Sequence, residues 1–197
     1  MAKNDEQSFP DQAATALLII DTVNDLEFEG GERLLRFALP MAERIAALKS
    51  RAAAAGIPAV YLNDNFGQWR SDFHTVVRQN LEGVRGAPVV RLLVPGDDDY
   101  FVLKPKHSGF FGTTLDTLLR FFGCRRLILT GLSSDMCVLF TAIDAYMRDY
   151  QLLIPRDCSA AIAPEHHDQA IAYMARVLKA DVRPSDQLPL GSEESVT

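Results

Sequence analysis

Apolar residues come in short bursts separated by longer amphipathic stretches. Ala16-Leu17-Leu18-Ile19-Ile20 is a continuous apolar run that ends at Asp21, as expected of a strand buried on both faces. From about Leu34 to Ala55 the chain is rich in Ala, Leu, Glu, Arg and Lys, and Gly56 and Pro58 stop it. That predicts a helix with its C-terminal punctuation. Ile57 to Leu62 predicts a second strand. Residues 63–98 carry Gly67, Gly83, Gly86, Pro88, Pro95 and Gly96 and are expected to form a long loop region with one helical piece. Tyr100 to Leu103 predicts a third strand, ending at Lys104, and Thr113 to Phe122 a helix capped by Thr113 or Thr114. Arg125 to Thr130 predicts a fourth strand, followed by Gly131 and a helix from about Asp135 to Asp149. Gln151 to Ile154, His166 to Lys179 and Asp181 to Arg183 predict a fifth strand, a last helix and a short sixth strand.

This alternation predicts an α/β fold, with a mainly parallel sheet covered by helices on both faces. The predicted domain runs over residues 15–184, and residues 1–14 and 185–197 are expected to be polar tails. In such sheets ligands bind beyond the carboxyl ends of the strands. Strand one ends in Asp21, strand three in Lys104, and strand four leads into Gly131-Leu132-Ser133-Ser134-Asp135-Met136-Cys137. Parallel strands would bring Asp21, Lys104 and Cys137 to one edge. The thiolate is the reactive form of cysteine. A helix N-terminus and a nearby ammonium both favour it, so the Cys137 pKa is expected to be depressed. Asp21 is placed to take the thiol proton and return it to a leaving group.

Composition narrows the function classes. The 197 residues suffice for one domain with its own core. Apolar residues make up 48% and charged residues 23%, a globular balance. A net charge of −6 argues against a protein that coats nucleic acid by neutralising phosphates. No run approaches the roughly 18–20 apolar residues of a membrane span, and the polar start MAKNDEQSFPDQ does not read as a secretory signal. Cys124, Cys137 and Cys158 show no CxxC spacing, so reduced thiols in a cytoplasmic protein are expected. Neither GxGxxG nor a P-loop occurs, so no nucleotide cofactor is indicated.

LLIIDTVNDL, VLKPKHSGFFGTTLDTLLR and LILTGLSSDMCVLFTAIDAYMRDYQLLIPRDCSAA resemble the three motif blocks of the isochorismatase-like cysteine hydrolases, which include nicotinamidases and N-carbamoylsarcosine amidases. The resemblance covers residues 15–183. It implies a Rossmann-like three-layer αβα fold with a six-stranded, mostly parallel sheet. It also implies a catalytic Asp21, Lys104 and Cys137, a cis peptide before Ser133, and an oxyanion hole from the Ser133 and Cys137 amides. A homo-oligomer whose partner subunit closes the pocket is implied as well. The chain departs from the nicotinamidase pattern after strand two. There Asn63-Asp64-Asn65-Phe66-Gly67-Gln68-Trp69 has no histidine before His74, so neither a metal nor nicotinamide is expected. True isochorismatases lack the cysteine at the nucleophile position.

The remaining candidates have plainer readings. Cys124 and Cys158 lack the strand-to-helix context and read as core residues. Lys106 competes with Lys104, which directly follows the apolar run. Asp135 reads as the cap of the Cys137 helix. Adjacent His166 and His167 cannot form an i, i+4 metal pair and are expected in solvent at a helix start. His107 is a candidate substrate contact. Phe28, Phe66, Trp69 and Phe111 are loop aromatics expected to wall the pocket. The expected activity is cofactor-free cleavage of a C–N bond in a small amide or carbamoyl-type compound through a thioester. The alternatives are vinyl-ether hydrolysis using Asp21 and Lys104 alone, and an inactive binding protein of the same fold.

Overall fold

The computed structural model describes residues 12–65 and 72–191. Strand β1 (Thr15–Ile20) is buried at every position. Its odd residues Leu17 and Ile19 face one core and its even residues Ala16, Leu18 and Ile20 the other, the two-residue period of a strand covered on both sides. Helix α1 (Gly31–Ala54) begins three residues before the expected Leu34. Gly30, with φ 89°, supplies the left-handed turn that starts it. Strand β2 is Ala59–Asp64 and β3 is Tyr100–Lys104. The glycine-rich stretch between them holds two short helices, α2 (Phe73–Asn80) and α3 (Ala87–Leu92), where one helical piece was expected. Asp72 caps α2 by accepting from the Thr75 amide at 2.8 Å.

Helix α4 (Leu115–Phe122), strand β4 (Arg126–Leu132), helix α5 (Cys137–Tyr146), strand β5 (Gln151–Leu153), strand β6 (Ser159–Ala160) and helix α6 (Pro164–Val177) complete the order. All pairings are parallel, in the order β3-β2-β1-β4-β5, with β6 also on β4. The sixth strand is thus not at Asp181–Arg183. Asp181 makes only a single bridge to Leu153. Strand β5 pairs with Arg126–Ile128, and β6 takes over at Gly131 and Leu132, so two short strands share the length of β4. Helices α1, α2 and α3 cover one face and α4, α5 and α6 the other.

Residues 185–190 depart from the expected tail. Ser185–Gln187 form a 3-10 turn, the Ser185 amide donates to Asp157 at 2.7 Å, and Leu188 belongs to the core. Among the described residues no helix is long and apolar enough to cross a membrane. The order places the topological switch between β1 and β4, whose carboxyl ends diverge to different neighbours. A crevice outside that point is where ligands bind in open α/β sheets.

Candidate active site

The crevice is built from three strand ends. Asp21 follows β1 with φ 50°, a left-handed conformation uncommon for a residue with a side chain. Its amide still pairs with the Leu62 carbonyl at 2.8 Å. Gly131, at φ 110°, brings β4 so close that a Cβ there would lie 2.0 Å from the Ile20 carbonyl oxygen. That approach draws the loop carrying Cys137 up to Asp21.

Lys104 ends β3 and is fully buried. Its Nζ lies 2.8 Å from Asp21 Oδ2 and 3.7 Å from Asp64 Oδ2. It also donates to the Lys106 carbonyl at 3.1 Å and to Cys137 Sγ at 3.6 Å. Lys106 thus contributes its backbone oxygen and leaves its side chain exposed. The second Asp21 oxygen accepts from the Asp64 amide at 2.7 Å. Cys137, the first residue of α5, also has His107 Nδ1 at 3.6 Å from its sulfur. A buried ammonium is tolerated because carboxylate and carbonyl partners replace its hydration.

The electrostatics reverse one expectation. Burial, with the Asp21 carboxylate second, pushes the Cys137 thiol up to about 12, outweighing the Lys104 ammonium. Burial also raises Asp21, against the opposing pull of Lys104 and of its hydrogen bonds to Cys137 and the Asp64 amide. Lys104 is lowered by burial but raised further by Asp21, Cys137 and Asp64, and ends above its ordinary value. At neutral pH the resting cluster is a thiol held between an ammonium and a carboxyl group.

The loop before Cys137 begins at a cis Leu132–Ser133 peptide. The Ser133 carbonyl accepts from the Met136 and Val138 amides, each at 3.1 Å. Neither the Ser133 nor the Cys137 amide has an acceptor among the described residues. Asp135 does not cap α5, whose N-cap is Met136 without a side-chain bond. Instead Asp135 accepts from the Ser133 hydroxyl at 2.7 Å and lies 3.6 Å from His166 Nδ1. His167, expected in solvent, is half-buried and lies 3.1 Å from the Ser134 hydroxyl.

A cavity of about 280 Å³ opens beside Asp21, Ser133 and Cys137. Its walls are Leu26, Phe28, Leu34, Leu132, Met136 and Ile162, with Asn24, Asp135 and His166 as polar members. Phe28 therefore lines it. Phe111, expected as a wall, is 60% exposed and is not among the lining residues. Phe66 and Trp69 lie outside the described residues.

The end of β2 carries the members that sequence reasoning passed over. Asn63 accepts from the Val23 amide at 3.1 Å and donates to the Val23 carbonyl at 2.9 Å, clasping the loop after Asp21. Asp64 faces Lys104. Applying the strand-end rule to β2 as well would have found Asp64. These side chains do not fit a metal site: Asn63 is occupied by backbone, Asp64 by an ammonium. Among the described residues no group of three or more His, Cys, Asp or Glu is gathered to hold an ion.

The isochorismatase domain pattern matches residues 15–186. The chain belongs to the isochorismatase family. It is 39% identical over 177 residues to an uncharacterised isochorismatase family protein, YaaI, of Bacillus subtilis, covering 90% of this chain and 97% of that one. It is 29% identical over 187 residues to the ureidoacrylate amidohydrolase RutB of Serratia proteamaculans, covering 81% and 75%. The crystal structure of N-carbamoylsarcosine amidase from Thermoplasma acidophilum superposes with a TM-score of 0.66 at 29% identity, covering 89% and 99%. The protein is accordingly an isochorismatase-family hydrolase, and its six-stranded parallel sheet with flanking helices is the fold of those neighbours.

Proposed function

We propose that this hydrolase cleaves the C–N bond of a small amide, urea or carbamoyl compound through a thioester on Cys137. The observation that carries this reading is the contact set around one sulfur: Lys104 Nζ at 3.6 Å from Sγ and 2.8 Å from Asp21. Amidase and amidohydrolase relatives support the bond type, and the thiol supports it over vinyl-ether cleavage, which needs no nucleophilic sulfur.

The resting proton sits on sulfur because the thiol is pushed up to about 12. Asp21, itself raised, is a better proton acceptor than an ordinary carboxylate. As Sγ attacks the carbonyl carbon, its proton moves to Asp21, and the carbonyl oxygen becomes an oxyanion held by the Ser133 and Cys137 amides. Each such donor is worth about 3–4 kcal/mol in the transition state. The C–N bond then breaks, and Asp21 returns the proton to the leaving nitrogen. Water, deprotonated by Asp21, attacks the thioester, releasing the acid and restoring the thiol. Lys104 keeps a positive charge beside both acidic groups throughout. A cavity of about 280 Å³ suits a substrate smaller than typical drug-sized ligands. The test is ammonia or amine release across small amides, ureas and carbamoyl compounds. Turnover of at least one by the wild type, lost in Cys137→Ala, supports the reading. Turnover that survives Cys137→Ala overturns it in favour of a thiol-free mechanism.

A further inference from the structure

Two adjacent serines, Ser133 and Ser134, precede Cys137, and two adjacent histidines, His166 and His167, open α6. The fold sets one pair against the other across 33 residues of chain. His167 Nδ1 lies 3.1 Å from the hydroxyl of Ser134, which is fully buried. A neutral imidazole has one donor and one acceptor nitrogen. With its proton on the other nitrogen, Nδ1 accepts the Ser134 hydroxyl proton. Burial holds His167 below the usual imidazole value, against Asp168, the Arg156 backbone and Asp135, which pull it upward. The ring therefore stays neutral at pH 7, the form this pairing requires.

The turn itself is pinned on each side of that contact. The Ser134 amide donates to the Ala160 carbonyl of β6 at 2.8 Å, and the Ser133 carbonyl accepts from Met136 and Val138. The Ser133 amide is left free of an acceptor among the described residues. His166 acts on the outer side of the same turn, through Asp135 and the Ser133 hydroxyl, and is solvent-facing. His167 is the inner of the two holds.

We propose that His167 is a positioning residue: by accepting from Ser134 it fixes the turn that presents the Ser133 amide to the substrate oxygen. This rests on the thioester reading above, in which that amide meets an oxyanion. Ser134 transmits the hold and touches no reacting atom.

Two probes separate this role from a general effect on the thiol or the fold. p-Nitrophenyl acetate acylates a thiol through a tetrahedral oxyanion: the S–C bond forms, the ester C–O bond breaks, and p-nitrophenol leaves. Iodoacetamide alkylates by direct displacement of iodide and forms no oxyanion. His167→Ala is expected to slow acylation about tenfold, less than the ~10²–10³-fold of deleting an oxyanion donor outright, and to leave alkylation unchanged. Ser134→Ala should reproduce that loss, and the double variant should be no slower, because the two act as one unit. His167→Asn, which keeps an acceptor near the Nδ1 position, should recover most of the rate. Parallel loss of acylation and alkylation, or unchanged acylation, overturns the proposal. Cys137→Ala reports separately on the nucleophile. If it is still acylated as fast as wild type, the thioester reading has failed. Hydrogen exchange at the Ser133–Asp135 amides then decides the positioning claim: faster exchange in His167→Ala supports it and unchanged exchange overturns it.

Discussion

Cys137 and Cys158 sit one strand apart at the same end of the sheet, and they share an acidity while differing in everything else. Cys137 opens α5 just after β4, and Cys158 closes a 3-10 turn just before β6, the neighbour of that end of β4. Burial is the largest influence on each and pushes both thiols up to about 12. Around Cys158 lie Asp157, Ser185 and Arg44, in a fully buried setting. Around Cys137 lie a carboxyl, an ammonium, an imidazole and the wall of a cavity. Acidity therefore does not single out the proposed nucleophile. A proton acceptor in contact, a charge that follows the proton, and a space for substrate do.

The largest effect should be on turnover. Cys137→Ala should reduce kcat by about 10³–10⁶-fold, the range for removing a nucleophile that acts in a triad. Cys158→Ala and Cys124→Ala should leave it near wild type. Asp21→Asn should match the first loss, and Asp21→Asn with Cys137→Ala should be little worse than either alone. Additive losses in steady-state assays would show that the two residues do not act as one unit.

Next in size is a stability effect confined to the Cys137 side. Lys104→Ala leaves Asp21 and Asp64 beside an uncompensated buried site and should cost about 3–5 kcal/mol in urea unfolding. Asp21→Asn with Lys104→Met removes both charges and should recover much of it. Equal destabilisation by the single and double variants would place the cost in packing instead.

The two thiols should also respond oppositely to one substitution. Asp21 disfavours a thiolate on Cys137 and has no contact with Cys158, so Asp21→Asn should lower only the Cys137 pKa. Each unit is a tenfold gain in thiolate. Iodoacetamide at pH 8, read by peptide mass spectrometry, should label Cys137 several-fold faster in that variant while turnover collapses, with Cys158 unchanged. Slower labelling of Cys137 would mean that Asp21 is not its carboxylate neighbour.

The strand-to-helix rhythm and the three residues at the carboxyl edge were legible because buried parallel strands write themselves as apolar runs: Asp21 directly follows one, Lys104 ends another, and Cys137 opens the helix after a third. The acidity was not. A helix start and one lysine are visible in sequence, but the burial and carboxylate that outweigh them appear only in three dimensions. The sixth strand was misplaced because Ser159–Ala160 is two residues long, too short to carry a period, while Asp181-Val182-Arg183 has the composition of a strand edge. Leu188 was missed because one apolar residue in a polar stretch gives no pattern, and only its contact with the core fixes it. Loop position alone does not tell which aromatics reach the pocket. Phe28 lines the cavity, whereas Phe111 is exposed and lies outside it.

Stability should also depend on pH. The folded values of the three thiols, about 12 against a usual 9.0, mean that the unfolded chain loses these protons first as pH rises. Their contribution is complete below pH 9 and is lost as pH climbs toward 12. The Tm should fall across that window, and less steeply in Cys158→Ala. A Tm flat from pH 9 to 11 would contradict the raised thiols, Cys137 included.

The most direct test of the mechanism is the mass of the Cys137 peptide from enzyme acid-quenched within the first turnover of its fastest amide substrate. A thioester mechanism predicts that Cys137, and neither Cys124 nor Cys158, gains the mass of the acyl group as one equivalent of amine is released. Amine release with Cys137 unmodified, or an increment on either of the other two cysteines, would contradict it.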